Sequence, residues 1–425
     1  MNAAILILFG LGFALAAFKQ INWLGEGVAP MEAVGQAMLK AAEGAASLSL
    51  GMVGAMALFL GLMKIAEAGG LLTVIARLLR PLLTRLFPEI PANHPAMGAM
   101  VFNISANFLG LGNAATPFGI RAMRELAKFN PLPGVAGNAM VMFLVINTAS
   151  VTLLPTSVIV LRAAAGSKDP AGIFAPTLFA TICSTVVAII AARWLARFWP
   201  LNKEKSVAAI EQANEKEAEL PPEAPPYPAW VSWSFLLGVA ALMPLALFWG
   251  KSAAAWVIPS LAAACFLYGA LKKVDIYSAF IDGAREAFEV AVRIIPYLVA
   301  ILVVVAAFRE SGAMEVIIRP LGALTAPLGL PPEGLIMAVL RQLSGSGAFG
   351  YLASVIQDPN IGPDSYTGYL VSTIMGSTET TFSVLAVYFG AVGVKRIRHA
   401  LVCGLLADLA GVIFSVIACR LMVGG

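Results

Sequence analysis

Apolar stretches on the scale of a bilayer crossing follow one another along this chain. Charge-free runs cover 1–18, 44–63, 134–161, 172–192, 229–250 and 252–271, and the run 400–419 is interrupted only by Asp408. Another, 294–308, is shorter, and its apolar character extends back through Ala287 across Arg293 and Glu289. A spanning helix needs about 20 such residues. Ala, Leu, Val and Ile dominate, and the strand-like alternation of a membrane barrel is absent. The pattern predicts an all-α polytopic membrane protein of about eight to ten helices.

One stretch departs from it. Residues 201–228, LNKEKSVAAIEQANEKEAELPPEAPPYP, are charged, then proline-rich, with no apolar face wide enough to insert. They read as a solvated linker between a first membrane half, 1–200, and a second, 229–425. Arg193, Arg197, Lys203 and Lys205 flank it, and counting back through 229–250 and 252–271 brings Lys272 and Lys273 to the same side. That concentration of positive charge predicts a cytoplasmic linker.

Composition sharpens the picture. Hydrophobic residues make up 59% of the chain and charged ones 12%, against about 25% charged in soluble domains, so lipid must be the solvent for most of the outside. The net charge of +4 fits the positive-inside rule and gives no nucleic-acid signal. The first 18 residues carry no basic n-region, which predicts a retained transmembrane segment and not a signal peptide. Cys183, Cys265, Cys403 and Cys419 lie in apolar stretches without metal-ligand spacing, and His94 and His399 are too few for a histidine cluster. No HExxH, GxxxxGK[ST], CxxC or Ser-His-Asp set is visible, so the expectation is no enzyme, no cofactor and no metal.

The two halves resemble each other. EAGGLLTVIARLLRPLL (67–83) leads to NISANFLGLGN (103–113), and ESGAMEVIIRPLGALTAPLGLP (310–331) leads to QLSGSGAFGYL (342–352). Further on, NTASVTLLPTSVIVLR (147–162) pairs with STETTFSVLAVYFG (377–390). Such duplication is common in transporter folds. It predicts two related repeats, each with re-entrant or broken helices; whether inverted or parallel stays open.

The matched segments carry the candidate chemistry. Asn103, Ser105, Asn107 and Asn113 interrupt apolar sequence with glycines between them, which weakens helix where polar groups need partners. Arg341, Gln342, Ser344 and Ser346 occupy the equivalent place. Asn147, Thr148 and Ser150 precede Pro155, which removes a backbone donor. Ser377, Thr378, Glu379 and Thr380 are their counterparts, and an ionisable glutamate in an apolar span marks a functional site by default. Any single Ser or Thr here has a plainer use, bonding its own i−4 carbonyl or packing helices closely, and Glu379 could serve as a structural partner of Arg341. Four polar breaks at matched positions point instead to a midplane site that binds a substrate or ion. Asp408 is a weaker candidate for the same cavity.

At these residues a family resemblance emerges. NISANFLGLGNAATPFGIRAM and NTASVTLLPTSVIVLR look like spore maturation protein A, and LSGSGAFGYLASVI and STETTFSVLAVYFGAVGVKRIRHAL look like spore maturation protein B. Both belong to the nucleoside-recognition, or Gate, group, which also appears in concentrative nucleoside transporters and ferrous iron permeases. The resemblance covers nearly the whole chain and implies a multi-pass protein of the bacterial inner (cytoplasmic) membrane. The expected activity is secondary transport of a small polar solute, with a coupling cation or proton, between the two Gate repeats. Membrane lipid is the expected partner, and a homo-oligomer is compatible with the sequence. Two other readings are a non-transporting partner or regulator of envelope processes (peptidoglycan or the spore core) and a channel or lipid-handling protein.

Overall fold

The computed structural model describes the backbone of residues 2–424 apart from 26, 111, 131, 201–226, 315, 317 and 318. All but the last two positions of the expected linker 201–228 therefore lie outside the described residues. The described residues form sixteen α-helices and no β-strand. Pro30–Ala68, Pro170–Leu195, Ile276–Glu310, Tyr366–Gly390 and Ala400–Val423 are each long and apolar enough to cross a bilayer. The chain is a multi-pass membrane protein.

The helices fall into two series of the same order. The first runs α1 (Asn2–Ile21), α2 (Pro30–Ala68), α3 (Leu71–Leu86), α4 (Pro95–Phe108), α5 (Gly112–Phe129), α6 (Asn138–Ala149), α7 (Thr156–Ala164) and α8 (Phe174–Leu195). The second runs α9 (Ala229–Leu271), α10 (Ile276–Glu310), α11 (Arg319–Thr325), α12 (Pro332–Leu343), α13 (Gly345–Gln357), α14 (Tyr366–Ser377), α15 (Thr381–Gly390) and α16 (Ala400–Cys419). Each series sets a long helix, a short helix beginning at or near an arginine or leucine turn, a helical hairpin (α4–α5, α12–α13), a broken helix (α6–α7, α14–α15) and a closing long helix. The sequence separated 229–250 from 252–271. The backbone stays helical through both, because Lys251 is a good helix former and Gly250 alone does not end a helix.

Equivalent helices run antiparallel, which settles the question left open by sequence. On α2 and α10, Gly61 and Lys64 lie beside Gly283, whereas Ser49 donates to the carbonyl of Ala291 and Val34 packs near Ala307. On α8 and α16, Phe179 meets Phe414 and Ser184 donates to the carbonyl of Ala407. On the broken helices, Phe143 stacks on Tyr388 while Arg162 reaches Ser372 and Tyr369. In all three pairs the numbers rise on one helix as they fall on the other. The repeats are therefore inverted.

Small details repeat as well. Gly134 and Gly362 both close a loop at positive φ, 73° and 71°, a conformation open to glycine without strain. Each loop is held by an arginine of the opposite half, Arg162 in the last turn of α7 and Arg398 in the segment after α15. Arg162, wholly buried, donates to the carbonyl of Pro363 at 2.6 Å, and Arg398 donates to that of Ala136 at 2.9 Å. The two main apolar clusters mix the halves, one joining Met97 and Phe143 to Phe389 and Cys403, the other Leu48 and Ile159 to Leu302 and Tyr351.

The α2–α10 contact depends on the absence of a side chain. A Cβ on Gly283 would stand 2.4 Å from the carbonyl oxygen of Leu60 and 2.9 Å from the Cα of Gly61. Backbone cannot yield as a flexible side chain can. Gly283→Val should therefore cost about 1–3 kcal/mol by overpacking, read as a lowered melting temperature of the purified protein. A variant that melts with the wild type would show that these helices do not approach so closely.

Candidate functional site: a cleft at four helix breaks

Each break has a local cause. Helix α4 starts at His94, whose Nδ1 accepts from the backbone N–H of Ala96 at 3.1 Å, with Pro95 in the first turn. It ends at Gly110, at φ 78°, the left-handed turn that commonly closes a helix. A Cβ there would lie 2.6 Å from the carbonyl of Leu154, so the hairpin tip can dock only as glycine. Leu153 N–H donates to the carbonyl of Phe108 at 2.9 Å and completes that docking. Helix α6 stops at Ala149, and α7 restarts behind Pro155, which offers no N–H.

In the second half α12 ends at Leu343, and Ser344 caps α13 by accepting from Gly347 N–H at 3.0 Å. Helix α14 ends at Ser377, with Thr378 in extended backbone. Arg341 bridges the two breaks. Its guanidinium donates to the carbonyl of Thr378, to Thr380 Oγ1 at 3.3 Å and to Glu379 Oε2 at 3.4 Å. The broken helices themselves cross at their gaps, where Glu379 N–H donates to the carbonyl of Thr148 at 2.7 Å.

These junctions enclose a cleft of about 290 Å³. Asn107 and Gly110 come to it from α4 and its turn, Ser150 to Val158 from the first broken helix, Arg341 from α12, and Met375, Gly376 and Glu379 from the second. Every break thus contributes, and the lining offers an amide, hydroxyls, a cation and an anion.

Of the residues expected from sequence, Asn107, Ser150, Arg341 and Glu379 line the cleft. Behind it Asn147 accepts from Asn107 Nδ2 at 2.9 Å and from Tyr388 Oη at 3.3 Å. Asn103 donates to Tyr388 Oη at 3.2 Å and to the carbonyl of Ala115. Tyr388 ties these amides together and was not singled out by sequence; nothing in its apolar run distinguishes it from a core aromatic. Thr152, Thr156 and Ser157 also line the cleft, and as members of a hydroxyl-rich segment they were within reach of the sequence argument.

Other expectations take a different place. The hydroxyls of Ser105, Thr148 and Ser377 donate to the carbonyls of Val101, Leu144 and Ile374 in their own helices. Thr378 acts through its backbone and Thr380 through its bond to Arg341. Ser344 is a cap. Ser346 faces a neighbouring, mainly apolar cavity of about 280 Å³ with Met52, Met56 and Phe349, which meets the cleft at Ser157 and Met375. Gln342 lies half-buried on α12. Asn113 belongs to α5, and its side chain lies outside the described residues. An apolar run on both sides would bury Glu379. Its side chain is instead 52% exposed, because it projects into the cleft while its partner Arg341 is only 6% exposed.

A family model described as Nucleoside recognition (Gate) matches residues 49–165 and 291–395. The chain belongs to the Gate family. Both matched segments contain a hairpin and a broken helix, so the Gate match includes all four breaks. This Gate protein is 46% identical over 175 residues to spore maturation protein A of Bacillus subtilis (strain 168), an alignment covering 41% of this chain and 88% of that one. It is 45% identical over 168 residues to spore maturation protein B of the same organism, covering 40% and 93%. Among solved structures, CNTnw in an outward-facing state aligns over 99% of this chain and 98% of that one with 13% identity and a TM-score of 0.39. The Alcanivorax borkumensis YdaH transporter aligns over 98% and 97% with 16% identity and a TM-score of 0.37.

The two charges of the cleft should differ in what they do for stability. Arg341 is buried on three acceptors, so Arg341→Met strands them and should cost about 3 kcal/mol or more. Glu379 is half exposed, and its pairing is worth at most about 1 kcal/mol. Thermal melts of Arg341→Met and Glu379→Gln in one detergent should show a large fall for the first and a small one for the second. A large fall for Glu379→Gln would make it a structural lock.

Proposed function

We propose that this protein is a secondary transporter of a small polar solute, residing in the bacterial inner membrane and binding its solute in the cleft between the two Gate repeats. The reading rests on one observation above the rest: four helix breaks, two from each inverted half, meet at a single cleft with a guanidinium and an exposed carboxylate side by side. Broken helices in a membrane place unpaired backbone groups at the midplane, where they replace a solute's hydration. In this reading Arg341 and Glu379 contact the solute's charged or polar groups. Asn107, Ser150, Thr152 and Ser157 supply hydrogen bonds, and Asn147 and Asn103 hold Asn107 and Tyr388 in place. The membrane halves are 1–200 and 229–425, and the linker 201–228 is cytoplasmic.

A protein that only regulates envelope enzymes has no use for a charged internal cleft. A secondary transporter does, and its inverted halves provide the two arrangements that open the cleft to either side in turn.

The test is ligand-dependent stability followed by flux. A panel of polar metabolites, nucleosides included, is screened for solutes that raise the melting temperature, since a ligand at 100 times its Kd stabilises by about 2.7 kcal/mol. At least one solute should stabilise the wild type and leave Glu379→Gln unmoved, and proteoliposomes should accumulate it with the wild type only. A stabilising solute that acts equally on Glu379→Gln, or that never crosses the membrane, would refute the proposal.

A further inference from the structure

Asp408 sits near the middle of α16, the ninth of its twenty residues, and is 2% exposed. One carboxylate oxygen accepts from Thr381 Oγ1 at 2.5 Å. The other, Oδ1, is buried and receives no hydrogen bond among the described residues. The side chains of Thr378 and Gln342 face the same carboxylate, and Gln342 Oε1 is a second buried acceptor without a donor. A carboxylate oxygen without a donor at this depth calls for a positive partner. The site adjoins the second broken helix directly, since Thr378 and Thr381 flank its gap.

The charges lead to the same conclusion. The field of the Arg341 guanidinium reaches Asp408. Its two Nη groups are committed to Glu379, Thr380 and the carbonyl of Thr378, and its Nε bonds neither carboxylate. One guanidinium thus stands between two carboxylates, Glu379 open to the cleft and Asp408 buried with an oxygen that receives no hydrogen bond among the described residues. A carboxylate in the core of a membrane protein does not stay uncompensated. We infer that Asp408, with Gln342, Thr378 and Thr381 around it, seats one monovalent cation, a proton or a sodium ion. Carboxylate, hydroxyl and amide oxygens suit either. The ion's place in coupling rests on the transport reading; its binding does not.

Position explains how such an ion would act on the cleft. Thr381 begins α15 and bonds Asp408, while Arg341 holds the carbonyl of Thr378 three residues earlier. Removing the charge balance at Asp408 pulls on the same gap that carries Glu379 into the cleft.

The test needs no solute. The purified full chain is melted at pH 8 in sodium chloride and in an equal concentration of choline chloride, and again in choline chloride at pH 6. The wild type should be stabilised by sodium over choline, which identifies sodium, or by acid alone, which identifies a proton. Asp408→Asn, isosteric and already neutral, should lose that response. His399 cannot counterfeit the acid arm. Burial and the neighbouring Arg398 push it down to about 4, so it stays neutral when folded and takes a proton only when unfolded, and acid acting through it lowers stability. Should Asp408→Asn fail to fold, Thr381→Val keeps the carboxylate and removes one ligand, and should move the midpoint of the wild-type response at least threefold in ion concentration. A wild type indifferent to both ions, or variants that respond as it does, would overturn the inference. Neither result would touch the cleft as a solute site, because no solute is in the assay.

Discussion

Hydrocarbon cannot hydrogen-bond a peptide group, and the architecture of this protein follows from that. Ending a helix inside a membrane exposes up to four carbonyls or four N–H groups, each of which must find a partner within the protein. Four breaks arise here, eight helix ends in all, and they bond to one another. The tip after α4 docks on the gap behind α6 through Phe108 and Leu153. Arg341 satisfies the gap behind α14. The two gaps join through Glu379 and Thr148. Moving a break along its helix would lose the bonds that join it to its neighbours, so the breaks converge, and a polar cleft is what convergence leaves.

The breaks were legible in the sequence for the same reason. Gly110, Pro155, Ser344 and Thr378 stand among residues that otherwise favour unbroken helix, and only a protein that covers its gaps can carry them. The assignment of single side chains was less legible. Ser105, Thr148 and Ser377 share their composition with true lining residues, and whether a hydroxyl turns to its own i−3 or i−4 carbonyl or to a cavity depends on packing that no local pattern encodes. Glu379 was recognisable as important, but its exposure depends on where the opposite half places Ser150 and Pro155. Tyr388 gave no signal, because its polarity is one atom on an aromatic ring in an apolar run. The inversion of the repeats is a relation between distant helices and became visible only when Gly283 was found against Leu60.

Inversion distributes the chemistry unequally between halves built to one plan. The first supplies amides and hydroxyls to the cleft, through Asn107, Ser150 and Thr152. The second supplies both charges, Arg341 and Glu379. Outside the cleft the symmetry is kept more faithfully, in the loops closed by Gly134 and Gly362 and the arginines that hold them. Duplication thus preserved the frame and let the centre diverge.

The hydrogen bond from Glu379 to the carbonyl of Thr148 has one more consequence. Spore maturation proteins A and B are each matched over about two fifths of this chain, and a cleft of this kind draws its wall from both repeats. A lone half would present an open gap and a bare carbonyl to lipid. It would gain solubility in the membrane only by recruiting a complementary half. Joining the halves on one polypeptide therefore acts on stoichiometry: the effective concentration of one half at the other is fixed by the tether, independent of how much of either is made.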